Sequence, residues 1–343
     1  MKKYIVISLI LFAAFSCTKT IDFDDEGLAN QLVLNSIVYP DQGITAYLTF
    51  STSILSRPTL AGGGLMADGT IEIYENGELI KQKYSPTGRF EFPEIRPKTG
   101  ATYQIVGKSH DKQLKAETTV PNKVEVISID TATVSDQFIN KRLRVNVKIK
   151  DASGDDFYRI KVSQENLVLN MNVDGKGTQK YYLYTSEDWI SSDDPVFNSL
   201  YNNFGGEEFD IGPANDYNIF PDDYFKGKEY NIQFFINNYE YGSGSYYSGY
   251  ESYGASKTIY KRRIVHVQRL SKDLYTYLKY LKLYDFYHDN PFAEPVPVYS
   301  NVKNGVGIFA GFNDDAKFTY EKIYVPFSMD TITVEENSYI YGW

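Results

Sequence analysis

One cysteine, three histidines and 44 acidic residues are what this chain offers for covalent, metal or acid–base chemistry. The cysteine, Cys17, follows Lys2-Lys3, an apolar run from Tyr4 to Phe15, and Ser16. Two lysines, an apolar stretch too short for a permanent membrane helix, and a small residue before the break make a secretory signal. A cysteine directly after the small residue converts it into a lipoprotein signal, with cleavage before Cys17 and acyl chains, palmitate among them, on the new N-terminus. The rival reading is an ordinary secretory signal with an incidental cysteine. Once Cys17 is lipidated no thiol remains for a disulfide, a zinc site or a cysteine nucleophile.

The histidines are His110, His266 and His288, far apart and without metal-ligand spacing. No Gly-x-Ser-x-Gly elbow occurs, which argues against a serine hydrolase of that class. Among the acidic residues, Asp222, Asp223, Glu229 and Glu240 could hold a carboxylate pair for glycoside hydrolysis, where separation in space decides the chemistry. Asp151, Ser153 and Asp155 alternate as calcium ligands do, but no distal glutamate follows, and a plain hairpin turn is the simpler reading. The triple glycine Gly62-Gly63-Gly64 lacks the Lys-Ser/Thr of a phosphate loop and reads as a surface loop. No metal, no cofactor and no catalytic residue is expected.

Tyrosine is the outlier, with 31 Tyr and 21 Phe against 2 Trp. Its densest window, residues 237–254, spaces Tyr239, Tyr241, Tyr246, Tyr247, Tyr250 and Tyr253 with glycine and serine. Aromatic anchors on an adaptable backbone suit stacking or docking, and these six are the candidate binding residues. A tyrosine-rich hairpin packed on its own sheet would share that composition.

The elements that must carry these residues read as mainly β. Removing residues 1–16 leaves an acidic tether over 17–30 (Asp22, Asp24, Asp25, Glu26). Residues 31–122 read as an immunoglobulin-like β-sandwich. Leu32–Val38, Ala46–Phe50, Thr70–Tyr74, Leu79–Ile80, Phe90–Phe92, Thr102–Val106 and Leu114–Val120 are strand-sized runs at short spacing. Asn76-Gly77 is a hairpin turn, and His110-Asp111 tips another. Residues 123–343 read as a larger β-rich domain. Val124–Ile129, Leu143–Ile149, Phe157–Val162, Leu167–Val173, Lys180–Tyr184, Tyr230–Ile236, Lys257–Gln268 and Phe318–Phe327 are its strands.

One amphipathic helix is expected near 271–288, capped by Ser271 with Asp273 in its first turn. Leu274, Tyr277, Leu278, Leu281 and Tyr284 should form its buried face. Farther on, Pro291, Pro295 and Pro297 force an extended edge path. Gly305, Gly307 and Gly311 line one face of the next strand, where the helix or a crossing loop should approach the backbone.

A net charge of −9 disfavours nucleic acid, which demands clustered Lys and Arg. Acidity also repels anionic lipid, so membrane attachment would depend on Cys17.

The stretch Asn290-Pro291-Phe292-Ala293-Glu294-Pro295, leading through Ser300-Asn301 to Gly305-Val306-Gly307-Ile308-Phe309-Ala310-Gly311, resembles the C-terminal signature of the DUF4249 family of Bacteroidetes lipoproteins. Asp155-Asp156-Phe157-Tyr158-Arg159 is similar to that family's turn into a tyrosine-bearing strand. The acidic tether resembles the signal that sends such lipoproteins to the outside of the outer membrane. Asp130-Thr131-Ala132 and Asp330-Thr331-Ile332 resemble acceptors for O-glycosylation in exported Bacteroides proteins. The family carries no established biochemical function. The resemblance implies an outer-membrane lipoprotein, cell-surface exposed or alternatively facing the periplasm. It would be a non-enzymatic accessory that binds a nutrient ligand or docks beside a TonB-dependent transporter. A structural or assembly lipoprotein of the envelope is the first alternative and a carbohydrate-active hydrolase the second.

Overall fold

A computed structural model describes residues 30–52, 65–135, 142–170, 180–198, 213–237, 256–288, 296–323 and 334–337. Cys17, the six candidate tyrosines, Gly62-Gly63-Gly64, Glu240, Pro291, Pro295 and the Asp330 triplet lie outside them. The fold is mainly β, as composition and periodicity imply.

In the N-terminal third, β1 (Leu32–Val38), β2 (Ile44–Phe50), β3 (Leu65–Met66) and β6 (Arg89–Phe92) belong to one sheet. A second sheet, in the order β5-β4-β7-β8, is formed by β4 (Gly69–Glu75), β5 (Glu78–Ser85), β7 (Thr102–Ser109) and β8 (Lys112–Thr119). Alternation makes the sandwich: β1 buries Leu32, Leu34 and Val38, and β7 buries Tyr103 and Ile105, all in one core. The β4–β5 turn is the expected Asn76-Gly77, with φ of 50° and 88°, as a two-residue hairpin turn requires.

The next segment supplies β9 (Glu125–Val134), β10 (Arg142–Lys150), β11 (Phe157–Asn170), β12 (Lys180–Glu187), β13 (Ile190–Ser191) and the short helix α1 (Pro195–Asn198). Then come β14 (Ile219–Pro221), β15 (Glu229–Asn237), β16 (Ser256–Leu270), helix α2 (Lys272–Tyr287), β17 (Val306–Ile323) and β18 (Val334–Asn337). Strands β13-β15-β10-β9 form the third sheet. It packs on the long sheet through Val145, Val147, Ile232 and Phe234 against Ile160, Val162, Val265 and Val267. The runs 157–162 and 167–173, read as separate strands, are one continuous strand as far as Asn170.

The strand β17 ties the two sandwiches together. Its first half pairs in parallel with β1 (Val33 with Val306, Val38 with Gly311) and its second half antiparallel with β16. The long sheet therefore runs β18-β12-β11-β16-β17-β1-β2-β3 without a break. Phe309 enters the first core, while Ile308 and Ala310 face α2.

The glycine face of β17 meets a different neighbour from the one expected. A Cβ on Gly307, whose φ is +115°, would fall 2.0 Å from the Leu34 carbonyl oxygen. One on Gly305 would fall 2.6 Å from that of Leu32. The close approach is thus to β1, because the parallel pairing brings carbonyls there, and neither the helix nor a crossing loop supplies it. Asn301 acts as a surrogate strand on β17. Its Nδ2 donates to the Phe309 carbonyl (2.7 Å) and its Oδ1 accepts from the Phe309 N–H (3.0 Å).

Helix α2 is capped as anticipated, since Ser271 Oγ accepts from Leu274 N–H at 3.2 Å. Its buried stripe is offset from the expected one. Leu274, Tyr275, Leu278 and Leu283 are buried, whereas Tyr284 is exposed and stacks on His288. The rotation follows from Tyr275 stacking on Phe157 of β11, 4.5 Å between ring centres.

Candidate functional site

A cleft of about 700 Å³ opens where β12 runs into β13, beside α1 and the loop before β14. Trp189 stands on its edge, 77% exposed, among Ser186, Ile190, Phe197, Asn198 and Asn218. An indole this exposed leaves a large apolar face in water, and its position follows from the residue before it. Asp188 accepts from the buried Arg263 Nε of β16 at 2.6 Å, and its backbone N–H donates to the Val162 carbonyl at 2.8 Å. With Asp188 fixed from two sides, the chain must turn at Trp189.

The opposite wall is equally braced. Asp194 accepts from the Val196 N–H (3.2 Å), the Gln233 N–H (3.1 Å) and the Tyr230 hydroxyl (2.8 Å), which pins α1 to β15. Burial, then the Asp194 carboxylate, pushes the Tyr230 phenol up to about 12, so it stays a neutral donor. Asn215 stitches α1 to β14 by donating to the Phe197 (3.1 Å) and Ile219 (2.8 Å) carbonyls.

Among the described residues, every carboxylate lining the cleft already has a cation. Glu187 pairs with Lys161 (2.7 Å), Asp188 with Arg263, and Asp216 with Lys282. What faces a ligand is therefore an aromatic plate with neutral polar groups: the amides of Asn198 and Asn218 and the hydroxyl of Ser186. Such a site suits an uncharged molecule with one apolar face and many hydroxyls.

The expected hydrolase carboxylates do not meet here. Asp222 is buried elsewhere beside Asp151 and Asp156, Asp223 is exposed, and Glu229 of β15 pairs with Lys148 of β10. Of the alternating calcium spacing, only Asp151 turns inward; Ser153 is exposed and Asp155 pairs with Lys226.

The histidines occupy a hairpin tip, a strand and a helix end, as read from the sequence. His266 has partners that no spacing revealed. Its Nε2 lies 2.9 Å from Ser163 Oγ and its Nδ1 2.7 Å from Asp314 Oδ2. This is the hydrogen-bond order of a serine-hydrolase relay. Ser163, however, is paired on both sides of β11, to Glu187 and to Ile264, so the amides around it are committed to the ladder. An oxyanion hole needs uncommitted N–H groups converging on one point. The trio links β11, β16 and β17 across the sheet.

Sequence comparison adds the family. The model for the Domain of unknown function (DUF4249) matches residues 18–317. The chain belongs to the DUF4249 family. No curated protein matches it. Among solved structures it has a likeness to the crystal structure of rhamnogalacturonan lyase YesW, 11% identical, covering 71% of this chain and 51% of that one. The TM-score of 0.17 carries no argument, and the chain spans about half the length of that protein. In this DUF4249 member, the signature residues Asn301, Gly305, Gly307 and Phe309 build the β17–β1 junction. The cleft is carried by residues outside that signature.

Proposed function

We propose that this chain is an outer-membrane lipoprotein, anchored through Cys17, that serves as a non-enzymatic ligand-binding subunit beside a TonB-dependent nutrient transporter. The observation that carries the binding role is the braced, charge-neutral cleft with Trp189 at its edge. A cleft of this size accommodates a few sugar rings, and a neutral oligosaccharide presents the alternating C–H faces and hydroxyls that indole and amides recognise. Support for the membrane setting comes from the signal-like segment ending at Cys17 and the acidic tether after it. No helix among the described residues is long and apolar enough to cross a membrane, and the acyl anchor would supply attachment. The transporter partner rests on the family resemblance. The tyrosines of 237–254 remain candidate docking contacts to that partner.

The two tryptophans are Trp189 and Trp343, which makes intrinsic fluorescence a direct probe of the cleft. Titration with soluble neutral oligosaccharides from starch, xylan and mannan should change Trp emission saturably for at least one of them. The change should vanish in Trp189→Ala while that variant keeps the wild-type unfolding midpoint. Emission unaltered by every oligosaccharide, or altered equally in Trp189→Ala, would remove the cleft as the ligand site.

A further inference from the structure

A cluster of carboxylates among the described residues lies away from the cleft, where the turn after β10, the start of β11 and the end of β14 converge. Asp151, Asp156 and Asp222 each bring one carboxylate oxygen within 4.8 Å of the others. Asp151 and Asp222 are only 6% and 3% exposed, and Asp156 is half-buried.

The protein groups around them compensate this charge only in part. Asp151 accepts from the Gly227 N–H at 2.6 Å and from the Tyr158 hydroxyl. The Tyr158 hydroxyl is a donor without formal charge. Arg269 Nη2 reaches Tyr158 at 3.2 Å and stands 3.3 Å from Asp156 Oδ2, without hydrogen-bond alignment to that oxygen. Lys226, the next cation, is spent on Asp155. Three carboxylates thus face one guanidinium.

A second observation points the same way. Asp222 Oδ2 is buried with no hydrogen-bond partner, and so is Asp156 Oδ2. A buried carboxylate oxygen without a partner carries a desolvation penalty that native interiors ordinarily avoid. A bound cation would remove this imbalance.

We infer that Asp151, Asp156 and Asp222 hold a calcium ion. The donors are all oxygens, with neither histidine nor cysteine in the group, which selects a hard cation. A divalent charge balances what Arg269 leaves uncompensated. Calcium, which tolerates irregular carboxylate sets and sheds water readily, fits a buried site better than magnesium, which insists on octahedral geometry and keeps its waters. The ion would clamp the second sandwich, because Asp151 leaves β10 in one sheet while Asp156 and Asp222 flank β11 and β14 in the other.

The test is calorimetric titration of the EGTA-stripped chain with CaCl2, alongside thermal unfolding with and without the ion. One equivalent should bind, and the unfolding midpoint should rise with calcium concentration, as it must when a ligand binds only the folded state. Asp222→Asn should weaken binding by roughly tenfold or more. Asp223→Asn, one residue away on the exposed side, should bind as wild type does. No heat and no stabilisation in the wild-type chain up to about 10 mM calcium, past the range of weak extracellular calcium modules, would overturn the inference. So would a response to magnesium alone, or wild-type affinity in Asp222→Asn. If Asp222→Asn does not fold, the wild-type titration decides, with terbium luminescence sensitised by Tyr158 and displaced by calcium as the second readout.

Discussion

Trp189 shows how little of a cleft's geometry has to be written in its own residue. The indole is exposed because Asp188 is tethered, and Asp188 is tethered because Arg263, three strands into the long sheet, is buried and demands a carboxylate. Removing one partner of such a buried pair costs more than the pair is worth, since the other charge is left unsatisfied. Charge matters differently at Glu72. Lys108 Nζ (2.6 Å) and the Tyr74 hydroxyl (2.9 Å) hold its carboxyl below the ordinary value of 4.5. A carboxylate so held adds stability above its unfolded range, and that stability disappears as pH falls through the folded value. Glu72→Gln should therefore lower the urea midpoint at pH 7, and the difference from wild type should shrink as pH falls from about 4.5 through the lower folded value. A difference that persisted undiminished at acid pH would assign the effect to packing. At this scale the sequence was a partial guide. His110 at its hairpin tip and the Ser271 cap were legible from local rules, whereas Trp189, a single aromatic between Asp188 and Ile190, has no pattern to announce it. The tyrosines that composition did announce fall outside the described residues.

Helix α2 and strand β17 show the same division among elements. Spacing alone locates the helix to within a residue at each end, because a 3.6-residue period and a cap are local signals. Which side chains it buries is set by partners distant in sequence, and Phe157 pulled Tyr275 inward where periodicity favoured Tyr284. Ser271 also accepts from the Gly311 N–H at 3.2 Å, so the cap fastens the helix to β17 as well as closing its first turn. Ser271→Ala should cost about 1 kcal/mol in chemical unfolding, and more than about 2 would exceed what a cap supplies. For β17, the spacing of Gly305, Gly307 and Gly311 put them on one face of an expected strand, but pairing with β1 at the far end of the chain leaves no trace in local periodicity. Phe309, fully buried between the sheets of the first sandwich, is the side chain that seats it. Phe309→Ala should destabilise by about 3–5 kcal/mol. A loss under about 1 kcal/mol would mean that the backbone pairing and Asn301 hold the strand without it.

Across the whole molecule, two sandwiches share one continuous sheet, so the cleft in the second is rigidly continuous with the first, whose Leu32 follows the tether from Cys17. The proposed receptor role calls for such a body, in which one sheet runs through both sandwiches. The mainly β architecture was legible because alternation and turn chemistry repeat in nearly every strand. The cleft was not, because it is assembled from β12, α1 and the loop before β14, whose junctions have no common motif. If this body serves a transporter, as proposed, affinity purification of the native chain from detergent-solubilised outer membranes should bring down a TonB-dependent barrel in stoichiometric amount; a chain recovered alone, from membranes in which such barrels are abundant, would contradict the proposal.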